Sequence, residues 1–355
     1  MTMTSNTTPL HELYQTWGAD FLEVAGRQLP LRVSGAGQEY QAARESLALA
    51  DGGDRGLVQM RGADLIDFLQ RTLSSDLSKL APGGGQWSAL LDGKGHWITD
   101  LLLFRLPDED GEPALLLDCP QDRVGALLQR VDMLHFGERI KWQAWEGARL
   151  LTLGPGSQAT EFGIESAAEL GEDCLWISRP DRGVLCRELV GPPATVCREA
   201  ERLQAEGAVP TGWVVLDILR VEGGNPRWGT DFDGDSILPE TGEWQRASLA
   251  KGCYAGQEVV AKVDTYGEAP RQLCLLDFGS HEQPLRGAAI HDAEDQPVGV
   301  VTSWVWSPLR DRAIGFGIIK RRALRSEGAL QTISGEERVM TSWTRPDKEP
   351  DRERG

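Results

Sequence analysis

The chain is 355 residues long, more than one ordinary core holds, so two or three domains are expected. With 40% hydrophobic and 26% charged residues it has the composition of a soluble globular protein, and no apolar run reaches the roughly eighteen residues of a membrane span. Acidic residues outnumber basic ones 54 to 37, a formal charge of -17, which disfavours broad nucleic-acid binding because that depends on neutralising phosphates. A small anion in a local basic pocket is still allowed. Met1 to Pro9 carries neither a basic n-region nor an apolar h-region, so the expected compartment is the cytoplasm, with no membrane association. Cys119, Cys174, Cys186, Cys197, Cys253 and Cys274 form no CxxC pair, so no permanently bound metal or cluster is expected.

In chain order, His11–Arg27 and Gln41–Ala50 have helix-like apolar spacing, and Ala63–Leu73 reads as a short amphipathic helix. Gln86–Leu91 and Trp97–Leu106 read as a hairpin around Asp92-Gly93-Lys94-Gly95, followed by a strand at Ala114–Asp118 and a helix over Gln121–Phe136. Arg149–Leu153 is a strand running into Gly154-Pro155-Gly156-Ser157. That turn lacks the third glycine of a dinucleotide site and the ending of a P-loop, so an ordinary strand-to-helix turn is expected. Pro192–Gly207 reads as an amphipathic helix and Trp213–Val221 as a buried one, with Asp217 and Arg220 on one face. Gly223–Arg246, rich in Gly, Asp and Pro, reads as irregular; loops of that length tend to be functional or disordered. After Pro270 short strands recur: Gln272–Phe278, Ala288–His291, Val298–Trp306, Ala313–Ile319 and Leu330–Ser334, the pattern of a small barrel or sandwich. The expected organisation is a two-lobed α+β region over 10–270, a β-barrel over 271–344 and a disordered tail over 345–355.

The most informative segment is the octet Lys251-Gly252-Cys253-Tyr254-Ala255-Gly256-Gln257-Glu258, which enters the apolar run Val259-Val260-Ala261. Its two glycines permit tight turns. A nearby ammonium or a following helix N-terminus raises the thiolate fraction of a cysteine, so Lys251 and Cys253 are candidates for thiol chemistry. A cysteine in such a loop is also compatible with a purely structural role.

The octet resembles the characteristic motif of the YgfZ family, folate-binding proteins related to the T-protein (aminomethyltransferase) of the glycine cleavage system. Other segments agree in order. Arg61-Gly62, Phe68-Leu69 and Ser75–Leu80 resemble the stretch before the T-protein's folate-facing hairpin, and Trp87–Leu91 with Gly95–Leu101 resemble that hairpin. Leu153-Gly154-Pro155, Leu219-Arg220-Val221-Glu222-Gly223-Gly224, Val298–Ser303 and Ser307–Ile319 follow. The resemblance implies an α+β fold of three lobes in a cloverleaf, two α+β lobes and a small C-terminal β-barrel, with tetrahydrofolate or a one-carbon-substituted folate in a central channel. It also implies an accessory role in the assembly or repair of iron–sulfur proteins, with those proteins or their assembly machinery as partners, and through them support of tRNA modification enzymes.

The T-protein's paired aspartates at the end of the hairpin strand read here as Thr99-Asp100. Asp100 either faces the folate, where a carboxylate can steer a proton or stabilise developing positive charge, or points to solvent. Arg220 either braces its helix by pairing with Asp217 or reaches a folate carboxylate, and Glu222 keeps its place beside it. Trp87 either stacks on a pterin or packs in the core. Asp181 stands near where the T-protein has a pterin-holding glutamate. Tyr254, Gln257 and Glu258, with Gly252 and Gly256, either shape the octet loop or meet a partner. The alternative to the accessory role is a folate-dependent aminomethyl or one-carbon transferase acting through Asp100.

Overall fold

The computed structural model describes residues 6–108, 110–267, 269–279, 283–325, 330–334 and 337–344. The tail over 345–355 lies outside them. The chain divides into two compact units, interleaved in sequence. One takes in the described residues up to Gln70, Leu77–Trp87 and Leu101–Leu219; the other takes in Arg71–Asp76, Ser88–Asp100 and the described residues from Arg220 onward.

The first unit is organised on a six-stranded sheet ordered Gly163–Ser166, Leu175–Ser178, Cys186–Gly191, Ala148–Leu153, Ala48–Asp51 and Val209–Pro210. Alternation along the strands sends successive side chains to opposite faces. Leu49 and Leu150 therefore join Tyr14, Leu189, Val196 and Ala200 in one core, while Ala48, Ala50, Leu151 and Leu153 join Ala42, Ala43, Leu216 and Leu219 in another. A sheet buried on both faces has near-continuous apolar strands. That explains why Gln41–Ala50, expected to be helical, is instead a helix at Ala36–Glu45 and a strand at Ala48–Asp51. The expected helix over His11–Arg27 is corrected as well. Only His11–Thr16 is helical, and Asp20–Val24 pairs antiparallel with Arg27–Arg32. The two-residue turn between these strands has Ala25 at φ 49° and Gly26 at φ 77°, the twist that tight hairpins require.

A second sheet orders Gly85–Leu91, Trp97–Arg105, Ala114–Pro120, Arg55–Arg61 and Lys141–Trp145, the first two strands being the expected hairpin. Gly154, at φ 98°, turns into a short 3-10 segment over Pro155–Ser157, and a side chain there would meet the Ala43 carbonyl at 2.7 Å.

Within the first unit lies a buried charge cluster that the sequence reading did not find. Arg149 donates through Nε to Glu188 Oε1 at 2.6 Å and through Nη2 to Asp118. Arg179 donates to Glu188 and, through Nε and Nη2, to Asp181 at 2.7 and 2.9 Å. Arg55 donates to Asp118, and Arg182 grips Asp54 with two hydrogen bonds of 2.8 Å. Asp118 and Glu188 are 0% exposed. Burial alone would raise the Asp118 carboxyl, but the guanidiniums of Arg55, Arg179 and Arg149 outweigh it and hold the group well below the usual carboxylate range.

The second unit contains a closed barrel of six strands: Arg271–Asp277, Arg312–Lys320, Pro297–Ser307, Ala289–His291, Leu330–Ser334 and Glu337–Thr344. Cys274, Leu276, Phe278, Ile290, Val298, Val301, Ala313 and Ile319 fill it. The α+β class and the small C-terminal barrel are those expected. The stretch Gly223–Arg246 is not wholly irregular: it forms a helical turn at Leu238–Thr241 and a 3-10 turn at Trp244–Arg246.

Candidate functional site

The octet, the hairpin tip and Asp100 all belong to the second unit. The hairpin tip is shaped by Asp92, whose Oδ1 accepts from the amides of Lys94 at 2.8 Å and His96 at 2.9 Å. Gly95 there has φ 79° and Gly256 of the octet has φ 81°. The two glycines pack backbone against backbone: a Cβ on Gly256 would meet Asp92 O and Gly95 Cα at 2.7 Å. This close approach explains the octet's second glycine. Its first, Gly252, has nothing within 4 Å of the place a Cβ would take. Gly256 is also the N-cap of the helix Gln257–Tyr266, so the apolar run after the octet is helical and Val260 is fully buried.

Lys251 anchors the other end of the loop. Its Nζ donates to the carbonyls of Leu73 and, at 2.8 Å, of Ser75, and lies 5.0 Å from the centre of the Tyr254 ring. Burial pulls its ammonium down to about 8 against the attraction of Asp76. Ser248 N donates to Ser74 O at 2.9 Å, so the chain on both sides of Ala250 is tied to the same segment. Gln257 Nε2 reaches back to Lys251 O at 3.4 Å, closing the loop on itself. Glu258 is exposed in the first turn of the following helix.

Between these anchors Cys253 is exposed, whereas Cys119, Cys174, Cys186 and Cys274 are buried and Cys197 is half-buried. Tyr254 turns the other way. It is 7% exposed, in a cluster with Ala89, Leu91, Trp97, Phe232, Leu238 and Val260, and burial pushes its hydroxyl up to about 12. Tyr254 Oη and Trp97 Nε1 are both buried, with no hydrogen-bond partner among the described residues. Buried donors without acceptors are costly, so two in one aromatic cluster are a specific feature. Trp97 lies in this cluster, with Trp228 and Trp244 packed against it. Trp87 belongs to the first unit and packs edge-on against Phe162, with ring centres 5.7 Å apart. No sequence signal separates the two, since both are strand tryptophans of the same hairpin.

Asp100 is 5% exposed, with Arg246 Nη2 at 3.8 Å from its Oδ2, so it does not point to solvent. Thr99, in place of the neighbouring aspartate, is fully buried. Arg220 is also buried, donating to Asp231 Oδ2 at 2.7 Å and to Asn225 O at 3.3 Å, and Glu222 Oε1 accepts from the Ser307 hydroxyl. Asp231 in turn accepts from the hydroxyls of Thr302, at 2.9 Å, and Ser303. These bonds tie Arg220 and Glu222 to the long stretch and to the barrel strand Pro297–Ser307, with Asp231, a residue the sequence reading did not name, among the partners of Arg220. Asp181 is held by Arg179 within the buried charge cluster of the first unit. Among the described residues no group of three or more His, Cys, Asp or Glu is placed to hold a metal ion, and no helix is long and apolar enough to cross a membrane.

Comparison with known proteins places this geometry. Residues 10–111 match the family model described as the GCVT N-terminal domain. The chain is 30% identical over 334 residues to an aminomethyltransferase of Synechococcus elongatus, a match covering 90% of this chain and 89% of that one. It is 25% identical over 339 residues to an aminomethyltransferase of Halalkalibacterium halodurans, covering 88% and 89%. Its fold matches the crystal structure of glycine cleavage system aminomethyltransferase T from Bartonella henselae with a TM-score of 0.85 and 23% identity, over 95% of this chain and 96% of that one.

Proposed function

The chain belongs to the aminomethyltransferase family, and from that premise we propose that it is a tetrahydrofolate-binding accessory protein of the YgfZ type, acting in the cytoplasm on iron–sulfur proteins or their assembly machinery through Cys253. The observation that carries the reading is the octet. Its lysine, glycine and tyrosine are used to build the loop, and the cysteine is what the loop presents to solvent. A structural cysteine would be buried, as four of the others are. Support for iron–sulfur partners comes from the octet's resemblance to the YgfZ motif. On this reading tRNA modification enzymes benefit indirectly.

The residues fit tetrahydrofolate. A pterin has polar edges, and the two buried donors without partners in the cluster of Trp97 and Tyr254 are groups such an edge would satisfy. Trp97, Tyr254 and Asp100 would hold it. When bound, tetrahydrofolate supplies an amine carrier for a one-carbon unit. Binding is tested by titrating the chain with tetrahydrofolate and following its thermal unfolding. A ligand at a hundred times its dissociation constant stabilises by about 2.7 kcal/mol. No shift at high folate would sink the folate reading. Cys253→Ser is expected to fold and bind folate normally while failing to support iron–sulfur enzymes in cells lacking the natural protein. Full support by the serine variant would remove the cysteine from the mechanism.

A second reading, one-carbon transfer through Asp100, is favoured by the buried carboxylate beside Arg246. It predicts turnover of an aminomethyl donor with tetrahydrofolate that Asp100→Asn abolishes. Absence of turnover with every donor tried would leave the accessory role.

A further inference from the structure

The stretch between Glu222 and the octet ends in a side chain that no sequence signal marks. Arg246 is 4% exposed and is engaged on three sides. Its Nε donates to Glu243 Oε2 at 2.9 Å, its Nη1 donates to Ser88 O at 3.2 Å, and its Nη2 stands 3.8 Å from Asp100 Oδ2. The backbone is fixed as well. The Arg246 carbonyl accepts from Ser74 Oγ, which itself accepts from Ala89 N at 3.0 Å. Glu243, 2% exposed, also accepts from Gln245 Nε2 at 3.0 Å. Ser88 and Ala89 lie on one hairpin strand and Asp100 on the other.

We infer that Arg246 is the positioning residue of the Asp100 carboxylate, with Glu243 setting the orientation of the guanidinium itself. A carboxylate this deeply buried needs a counter-charge. A rigid planar fork tied to Glu243 and to the Ser88 carbonyl brings that charge from one fixed direction, which a lysine on a flexible stem does less well. At 3.8 Å the Arg246–Asp100 contact is an ion pair and not a direct hydrogen bond. Arg246 therefore acts on Asp100 by charge and direction. The inference rests on the reading that Asp100 meets tetrahydrofolate.

The test is a double-mutant cycle on the full chain, read as tetrahydrofolate affinity by fluorescence titration, with the melting midpoint of every variant recorded. Arg246→Gln is expected to weaken binding about tenfold and Glu243→Gln about threefold, while Arg246→Lys recovers most of the loss; in the Asp100→Asn background the first two each change affinity less than about twofold. Independent, additive effects in that background, or a lysine variant no better than the glutamine one, would overturn the inference. If Arg246→Gln does not fold, Glu243→Gln in the two backgrounds decides. If the unmodified chain binds no tetrahydrofolate, the folate reading falls by itself and the same cycle is read on melting midpoints. Shifts of Arg246→Gln and Asp100→Asn that fail to add support positioning, and additive shifts refute it.

Discussion

Around Asp118 in the first unit, cations and anions answer one another: Arg55 and Arg149 on Asp118, Arg149 and Arg179 on Glu188, Arg179 on Asp181. Around the octet in the second unit the balance differs. Lys251 rests on carbonyls, its ammonium is pulled down to about 8, Tyr254 and Trp97 keep buried donors without acceptors, and Cys253 faces water. Both regions are expensive to build, since each buries polar groups. In the first the charges are offset inside the protein by opposite charge, while Arg149 Nη1 and Arg182 Nε are also buried with no hydrogen-bond partner among the described residues. In the second the unpartnered groups are neutral donors on buried aromatic rings, Trp97 and Tyr254, and the cysteine of the loop is exposed. The charge cluster is a scaffold, and the octet region is the one to which the proposed function assigns ligand and partner.

That comparison can be broken by mutation. The largest effect is expected from Asp118→Ala, which leaves Arg55 and Arg149 buried against a missing charge; removing one member of a buried pair costs about 3–5 kcal/mol. Denaturant unfolding measures it, and a loss under about 1 kcal/mol would mean the cluster is not a scaffold. A smaller loss, about 2 kcal/mol, is expected from Gly256→Ala, which combines a left-handed φ with backbone overlap against Asp92 and Gly95. Its control is Gly252→Ala, with open space around it, expected to stay within about 0.5 kcal/mol. Equal effects at the two glycines would show that the octet does not dock on the hairpin tip.

The difference between the regions also decides how much was legible in the sequence. The hairpin, the octet and five barrel strands were readable because their signals are local: period-two alternation, Gly turns and a contiguous motif. The early helices differ because apolar residues at Phe21, Leu22 and Val24 and a strand buried on both faces at Ala48–Asp51 mimic helical spacing over short windows. The charge cluster was invisible for another reason. Sheet register brings several of its members together diagonally, Arg149 opposite Val190 and so two residues from Glu188, Arg55 opposite Pro120 and so two from Asp118, and no residue pattern announces those pairings. Arg246 and Asp100 meet because the 3-10 turn Trp244–Arg246 docks on the hairpin strands, which no residue pattern announces either. Cys253 and Lys251 were found by their motif, but the structure was needed to show Lys251 turned to the carbonyls of Leu73 and Ser75.

The smallest effect separates the two regions by pH. At Asp118 the folded carboxyl lies below its ordinary value of 3.8, so the stabilisation is present above that value and is lost as the solution is acidified through the lower one. At Lys251 the folded ammonium lies at about 8, below its ordinary 10.5, because burial disfavours the charge. Between those values the unfolded chain holds a proton that the folded chain has released, so stability rises with pH there; below about 8 both states are protonated and the burial cost is constant. Lys251→Met removes that rise. The difference in unfolding free energy between the unmodified chain and Lys251→Met should be level below about 8 and tilt toward the unmodified chain above it. Lys251 is only partly buried, so water screens the interaction and the tilt is modest. A difference that stays level into alkali would mean that the ammonium is as well solvated in the folded loop as outside it, and the octet would lose the buried anchor that sets it apart from the charge cluster.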